Sequence, residues 1–249
     1  MKERIVSRNN QVILKTLALS NKSGDYFLVE GFHMVEMALE NGSVVSLFST
    51  SPSCFSSSIP SYLVSEEVLS KLASAKTPEG VVALCKKKET PLSKKGPLLY
   101  LDRVQDPGNV GTLLRSALSF GFDEVLCSRG TASPYGQKAL MASQGAIFKL
   151  RVALSAEASS FLDVQELKKQ GYYLLSTDLE GADPLSSLDA KAVPSPFALV
   201  LGNEGQGVTK EINEIADKRL RIEMDGIDSL NVGVAGGILM YHLRKGSLV

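Results

Sequence analysis

Short apolar runs alternate with amphipathic stretches along most of this chain, and the period of each stretch assigns an element. Leu98-Leu99-Tyr100-Leu101 is a continuous apolar run of strand length. Asn109–Phe120 carries Val110, Leu113, Leu114 and Ala117 at the three-to-four spacing of one helix face. The same alternation predicts strands over 124–127, 148–152, 172–176, 197–201 and 220–223. Helices are predicted over 136–143 and 160–170, with a last one over 231–245. Short strands that are apolar on both faces, separated by helices, argue for a parallel sheet covered on both sides.

The first third has its own pattern. A helix-like stretch over 10–19 leads to a strand at 26–29, and a helix bearing Phe32, Val35, Met37, Ala38 and Leu39 follows. A strand over 44–48, a Ser/Pro-rich loop over 49–61, a helix over 65–75 and a strand over 80–84 complete a small α/β unit. Residues 86–96 are lysine-rich, broken by Pro91 and followed by Pro97, which reads as a linker. The expected organisation is a domain over 1–85, a linker over 86–96 and a second α/β domain over 97–249.

Composition narrows the function classes. Apolar residues make up 44% of the 249 and charged residues 22%, as in an ordinary globular protein. Net charge is zero, which argues against an electrostatic grip on nucleic acid by the whole surface. Charge is nevertheless uneven. Lys2, Arg4, Arg8 and Lys15 face Glu3 alone, and Lys86, Lys87, Lys88, Lys94 and Lys95 face Glu89. Cys54, Cys85 and Cys127 show neither disulfide nor metal spacing, so a reducing compartment and no metal are expected. No apolar run approaches the ~20 residues that cross a bilayer, and no signal-peptide pattern opens the chain, so the expectation is a cytoplasmic protein without a membrane anchor.

Three segments carry candidate chemistry, each where a strand end gives way to a helix. In Asp102-Arg103-Val104-Gln105-Asp106-Pro107-Gly108-Asn109, Asn109 is expected to cap the helix, with Arg115 on its second turn. Arg115 is either a functional cation or a solvated helix arginine. In Leu201-Gly202-Asn203-Glu204-Gly205-Gln206-Gly207, the glycine order is neither that of dinucleotide binders nor that of a P-loop. By itself it reads better as a plain strand-to-helix turn than as a ligand loop. In Ser229-Leu230-Asn231-Val232-Gly233-Val234-Ala235-Gly236-Gly237, polar caps open a helix of small residues, which suits a ligand at the helix start and a close neighbour along its flank. His33 and His242 are the only histidines, and Ser229 lacks the G-x-S-x-G elbow, so a Ser-His-Asp hydrolase is not expected.

In order and spacing these segments resemble the three signature motifs of the SpoU (TrmH-like) branch of SPOUT RNA methyltransferases. The motifs here are Asp106-Pro107-x-Asn109-x-Gly111 with Arg115, Leu201-Gly202-Asn203-Glu204-Gly205-x-Gly207, and Ile222-x-Met224-x-Gly226 with Ser229-Leu230-Asn231-Val232. Ala142-Ser143-x-Gly145-Ala146 fits a weaker family stretch. Val29-Glu30-Gly31 and Thr77-Pro78-x-Gly80-Val81-Val82 resemble the substrate-binding domain that precedes the catalytic one in many members. Gly233 stands where many relatives have serine, and the loop after Met224 is short.

The resemblance implies an L30e-like N-terminal α/β domain that selects RNA. It implies a C-terminal parallel-sheet α/β domain tied in a deep trefoil knot, and a homodimer through the knot and the C-terminal helix. It implies methylation of a ribose 2′-hydroxyl in rRNA or tRNA, with rRNA favoured, from S-adenosylmethionine. By matching position, Gly202, Ile222, Met224 and Leu230 line the cofactor pocket, with Leu201 and Thr177 as neighbours that complete it. Arg115, Asn109, Glu204, Ser229 and Asn231 serve catalysis, Arg115 by binding phosphate or the developing alkoxide. The rival readings are a catalytically silent RNA-binding relative, which donor binding would decide, and a metabolic α/β enzyme with a nucleotide cofactor.

Overall fold

The computed structural model describes residues 4–22, 24–54, 58–88, 91–93, 96–179, 181–227 and 229–244. Lys2 and Glu3, residues 89–90 and 94–95 of the expected linker, Asp228 in the third motif and the expected helix end at 245 lie outside them. The chain divides into two compact units. One is Met1–Lys88 with Tyr135–Leu140, and the other is Glu89–Pro134 with Met141–Val249.

The first unit is a small α/β arrangement. Its elements run α1 (Gln11–Lys22), β1 (Tyr26–Glu30), α2 (Phe32–Asn41), β2 (Val44–Ser49), β3 (Ser61–Leu63), α3 (Glu66–Leu72) and β4 (Val81–Lys86). The strands form one sheet in the order β1-β4-β2-β3. β4 runs antiparallel to both β1 and β2, while β3 runs parallel to β2. β3 sits at the end of the Ser/Pro-rich stretch, where no strand was expected. Ile13, Leu28, Phe48, Val64, Val68, Leu72, Val82 and Leu84 form the core between sheet and helices.

The second unit holds β5 (Leu98–Leu101), α4 (Pro107–Ser119), β6 (Glu124–Cys127), β7 (Arg151–Leu154), α6 (Ser160–Lys169), β8 (Tyr173–Thr177), β9 (Asp183–Pro184), β10 (Phe197–Leu201), α7 (Lys210–Ile215), β11 (Lys218–Arg221) and α8 (Val232–Leu243). The short helix α5 (Gln137–Ser143) begins in the first unit and ends in the second. Seven strands form one sheet in the order β7-β6-β5-β10-β8-β11-β9, and every neighbouring pair is parallel. The central strands are sealed on both faces, since every residue of β5 and β10 is buried.

Several boundaries differ from the sequence expectation. The strand expected at 148–152 is β7 at Arg151–Leu154, because Ala146–Phe148 forms a 3-10 turn behind the left-handed Gly145. The strand expected at 220–223 is Lys218–Arg221. α4 begins at Pro107, with Asp106 as its cap. Cys85 and Cys127 are buried free thiols whose pKa values burial pushes up to about 12. Among the described residues no helix is long and apolar enough to cross a membrane, and no group of three or more His, Cys, Asp and Glu side chains is placed to hold a metal ion.

Candidate active site

The carboxyl ends of β8, β10 and β11 open onto one cavity of about 450 Å³ in the second unit. Strand carboxyl ends are where parallel α/β sheets hold ligands, and this volume is within the range of small-molecule pockets. Thr177, Leu201, Gly202, Ile222, Met224 and Leu230 all line it. Ala235 and Leu239 of α8 form a further wall that sequence reasoning did not anticipate.

Gly202 follows β10 and begins the turn that walls this cavity. A Cβ there would stand 2.1 Å from the backbone carbon of Gly207 and 2.1 Å from the nitrogen of Val208. The turn closes because those atoms come so near: Asn203 N donates to Gly207 O at 3.1 Å and Gly207 N returns a bond to Asn203 O at 2.8 Å. Asn203 Oδ1 accepts from the N–H groups of Gly205 and Gln206, which fixes the tip.

Glu204 projects from that tip and ties the loops together. Its carboxylate accepts from Gln105 N at 3.0 Å, Asp106 N at 2.9 Å and Asn109 Nδ2 at 3.0 Å. Asn109 Oδ1 then accepts from Asn231 Nδ2 at 2.9 Å. Three segments, the first of them nearly a hundred residues or more from the other two, are thus joined by one polar chain. Partial burial pushes the Glu204 pKa up, but the bonds from Asn109, Gln105 and Asp106 outweigh it and hold the group below the ordinary carboxylate value.

Two expectations about caps change here. Asn109 does not cap α4. Asp106 does, its side chain accepting from Asn109 N at 3.0 Å, with Pro107 at the first helical position, where its missing N–H costs nothing. Asn231 caps α8, but its Oδ1 accepts from Gly233 N and Val234 N. Those N–H groups are therefore satisfied within the chain and are not held out for a ligand.

The five expected catalytic residues are not gathered in one place. Glu204 and Ser229 line the cavity, while Asn109 and Asn231 stand behind it in the polar chain. Arg115 is absent from the cavity lining. It is the ninth residue of α4, on the third turn rather than the second, and is exposed. Six residues separate it from Asn109, about 9 Å along the helix axis.

α8 lies close on α4 and on the end of β10. A Cβ at Gly236 would stand 2.3 Å from Leu113 Cδ2 and 2.6 Å from Leu201 Cδ1. Gly236 thus serves a close contact within the chain. Val234, Ile238 and Tyr241 remain exposed on the same helix, and Tyr241 meets Phe120 edge-on with ring centroids 5.6 Å apart.

Residues 96–241 match the SpoU rRNA Methylase family, and residues 21–83 match the MRM3-like substrate binding domain. The chain is 34% identical over 252 aligned residues to the 23S rRNA (guanosine(2553)-2′-O)-methyltransferase RlmP of Bacillus subtilis, covering 97% of this chain and 99% of that protein. An AdoMet-bound rRNA methyltransferase from Sinorhizobium meliloti superposes with a TM-score of 0.86 at 25% identity, over 98% of this chain and 97% of that one. A TrmH-family RNA methyltransferase from Porphyromonas gingivalis, described as putative, superposes with a TM-score of 0.83 at 27% identity, over 95% and 98%. The three motif segments thus fall within a family match over residues 96–241, and this chain is a methyltransferase of the SpoU rRNA methylase family.

Proposed function

We propose that the protein transfers a methyl group from S-adenosylmethionine to a ribose 2′-hydroxyl of ribosomal RNA. The observation that carries this reading is the convergence of the second and third motif segments on one cavity at the strand ends, locked to the first through Glu204. The cavity suits the donor. Leu201, Ile222, Met224 and Leu230 offer apolar contact for an adenine, and the glycine turn brings backbone groups to its edge. When bound, the donor supplies a methyl group activated by its positive sulfur.

A ribose hydroxyl is a poor nucleophile, so the chain's task is to orient it and ease loss of its proton. Glu204 stays ionised and occupied by three hydrogen bonds, so it positions the loops rather than taking the proton. Ser229, exposed on the cavity rim, is the residue we assign to the ribose. Arg115 is assigned to an RNA phosphate or the forming alkoxide. Its position outside the cavity requires that RNA lie along α4 or that a second copy present its arginine.

A homodimer supplies that second copy. Val234, Ile238 and Tyr241 recur at the four- and three-residue spacing of one helix face, and their exposure fits an interface through α8. We further propose that the second unit is knotted, in keeping with β10 inserted between β5 and β8, that residues 1–85 select the RNA, and that the enzyme works in the cytoplasm. The test is incubation with labelled methyl donor and total RNA from a strain lacking the protein, followed by mapping of the mark. A 2′-O-methyl group in rRNA is expected; label on a base, or none in RNA, would overturn the reading.

A further inference from the structure

Arg103 follows β5 with φ at 56°, a backbone conformation that side chains other than glycine rarely adopt. Its surroundings hold it there from several sides. Its N–H donates to Ser128 Oγ at 2.9 Å, and its carbonyl accepts from Asn203 Nδ2 at 3.0 Å. Nε and Nη2 donate to the two carboxylate oxygens of Asp102, at 2.9 and 3.3 Å, and Nη1 donates to Gln206 Oε1 at 3.2 Å. Asp102 is fully buried and also accepts from Thr209 N. Asn203 and Gln206 belong to the turn that walls the donor cavity, so the guanidinium is fixed against the outer side of that wall.

A second, wider recess of about 1060 Å³ begins at Arg103. It shares Asp178, Gln206, Val208 and Asn213 with the donor cavity, so the two adjoin. Its cations are Arg103, Lys210 and Arg219. Its carboxylates are already engaged: Asp178 with Arg219 and Asn213, and Glu214 with Lys210, while Asp102 lies buried behind Arg103. Pairing with Asp102 does not by itself account for Arg103. A buried ion pair is commonly replaceable by uncharged groups without loss of stability, and this one also demands a strained backbone. The three bonds above use three of the five guanidinium N–H groups, and the side chain is partly exposed on the recess.

We propose that Arg103 binds a phosphate of the substrate RNA in this recess and so positions the strand beside the donor cavity. The proposal rests on the RNA methyltransferase reading above. The planar fork of arginine suits phosphate oxygens, and its fixed geometry reduces the ordering that binding would otherwise require.

The test uses the full-length protein, a 23S rRNA transcript and labelled S-adenosylmethionine. Arg103→Gln removes the charge. The pair Asp102→Asn with Arg103→Gln removes both charges, so no buried carboxylate is left without its partner. Arg103→Lys keeps the charge without the fork. Both Gln variants should raise the KM for RNA about tenfold, as loss of one charged hydrogen bond does, with kcat and donor affinity near parental. The slope of log binding constant against log salt should shrink by about 0.7 to 0.9, one phosphate contact, and Arg103→Lys should restore it. A double variant that melts with the parental protein and keeps its RNA KM and salt slope would overturn the proposal. So would a KM rise matched by equal loss of donor affinity, which marks a structural role. The slope is read from RNA binding alone, so a parental protein that binds the transcript without methylating it counts against the proposed reaction and not against Arg103.

Discussion

Adjacent glycines on α8 offer a test of how tightly that helix is seated. At Gly236 a methyl group would overlap Leu113 and Leu201, with its carbon 2.3 and 2.6 Å from their terminal methyls. Both leucines are at most 1% exposed, so neither tip has open space to swing into. At Gly237 the nearest atom to the same methyl is Ser116 Oγ at 3.7 Å, an ordinary contact. Both substitutions to alanine gain roughly 1 kcal/mol of helix propensity. Only Gly236→Ala also incurs overpacking, typically about 1–3 kcal/mol. The propensity gain cancels in the comparison, so Gly237→Ala should be the more stable variant by about 1–3 kcal/mol. For a chain of this size that separates the two Tm values by roughly 2–12 °C. Donor affinity should divide the same way. Leu201, Ala235 and Leu239 line the cavity, so displacing α8 at Gly236 weakens S-adenosylmethionine binding, while Gly237→Ala leaves it unchanged. Thermal unfolding and titration calorimetry on the two proteins read both effects. Coincident melting curves with equal donor affinities would refute the close seating of α8 against α4 and β10.

Arg115→Ala and Arg115→Lys should each lower turnover by ~100-fold while donor affinity and Tm stay near parental; methylation at the parental rate in Arg115→Ala would return this residue to the solvated surface. Glu204→Gln should slow methylation by loosening the link among the three motif loops. Because the folded Glu204 pKa is depressed, its contribution to stability is present above the ordinary value of about 4.3 and is lost as pH falls through the lower folded value. The Tm difference between parental protein and Glu204→Gln should therefore shrink on acidification through that window, and a difference independent of pH would contradict the assignment. Val234→Glu with Tyr241→Glu should give a monomeric mass by light scattering at micromolar concentration, against a dimeric mass for the parental protein; a parental monomer would remove the proposed interface.

The strands at the centre of the large sheet were legible because both faces are covered, leaving β5 and β10 as unbroken apolar runs. β11 was harder to place. Lys218, Arg219 and Arg221 alternate with a single buried leucine, so periodicity shifted the strand toward Ile222. Phe148 misled in the opposite way: its side chain is buried, but its backbone closes the 3-10 turn Ala146–Phe148, and apolar burial alone does not distinguish turn from strand. The cap of α4 had a readable signal, because Asp106 precedes Pro107 at a first helical position, and attention to Asn109 passed over it. The six residues expected around a cofactor came from motif resemblance, and the structure brings all six around one cavity. The bonds from Glu204 to Asn109 and from Asn109 to Asn231 span 95 and 122 residues, and no local pattern encodes such separations. The place of Arg115 on a helix after a motif was readable, but its displacement from the cavity depends on how far along α4 it stands and on what lies against that helix. A residue that its own chain keeps outside the pocket can still act there if the RNA or a second subunit brings the chemistry to it. For that reason the light-scattering and turnover measurements belong together: loss of activity in Val234→Glu with Tyr241→Glu, with donor binding intact, would place the need for Arg115 in the dimer, whereas a fully active monomer would place the RNA along α4 itself.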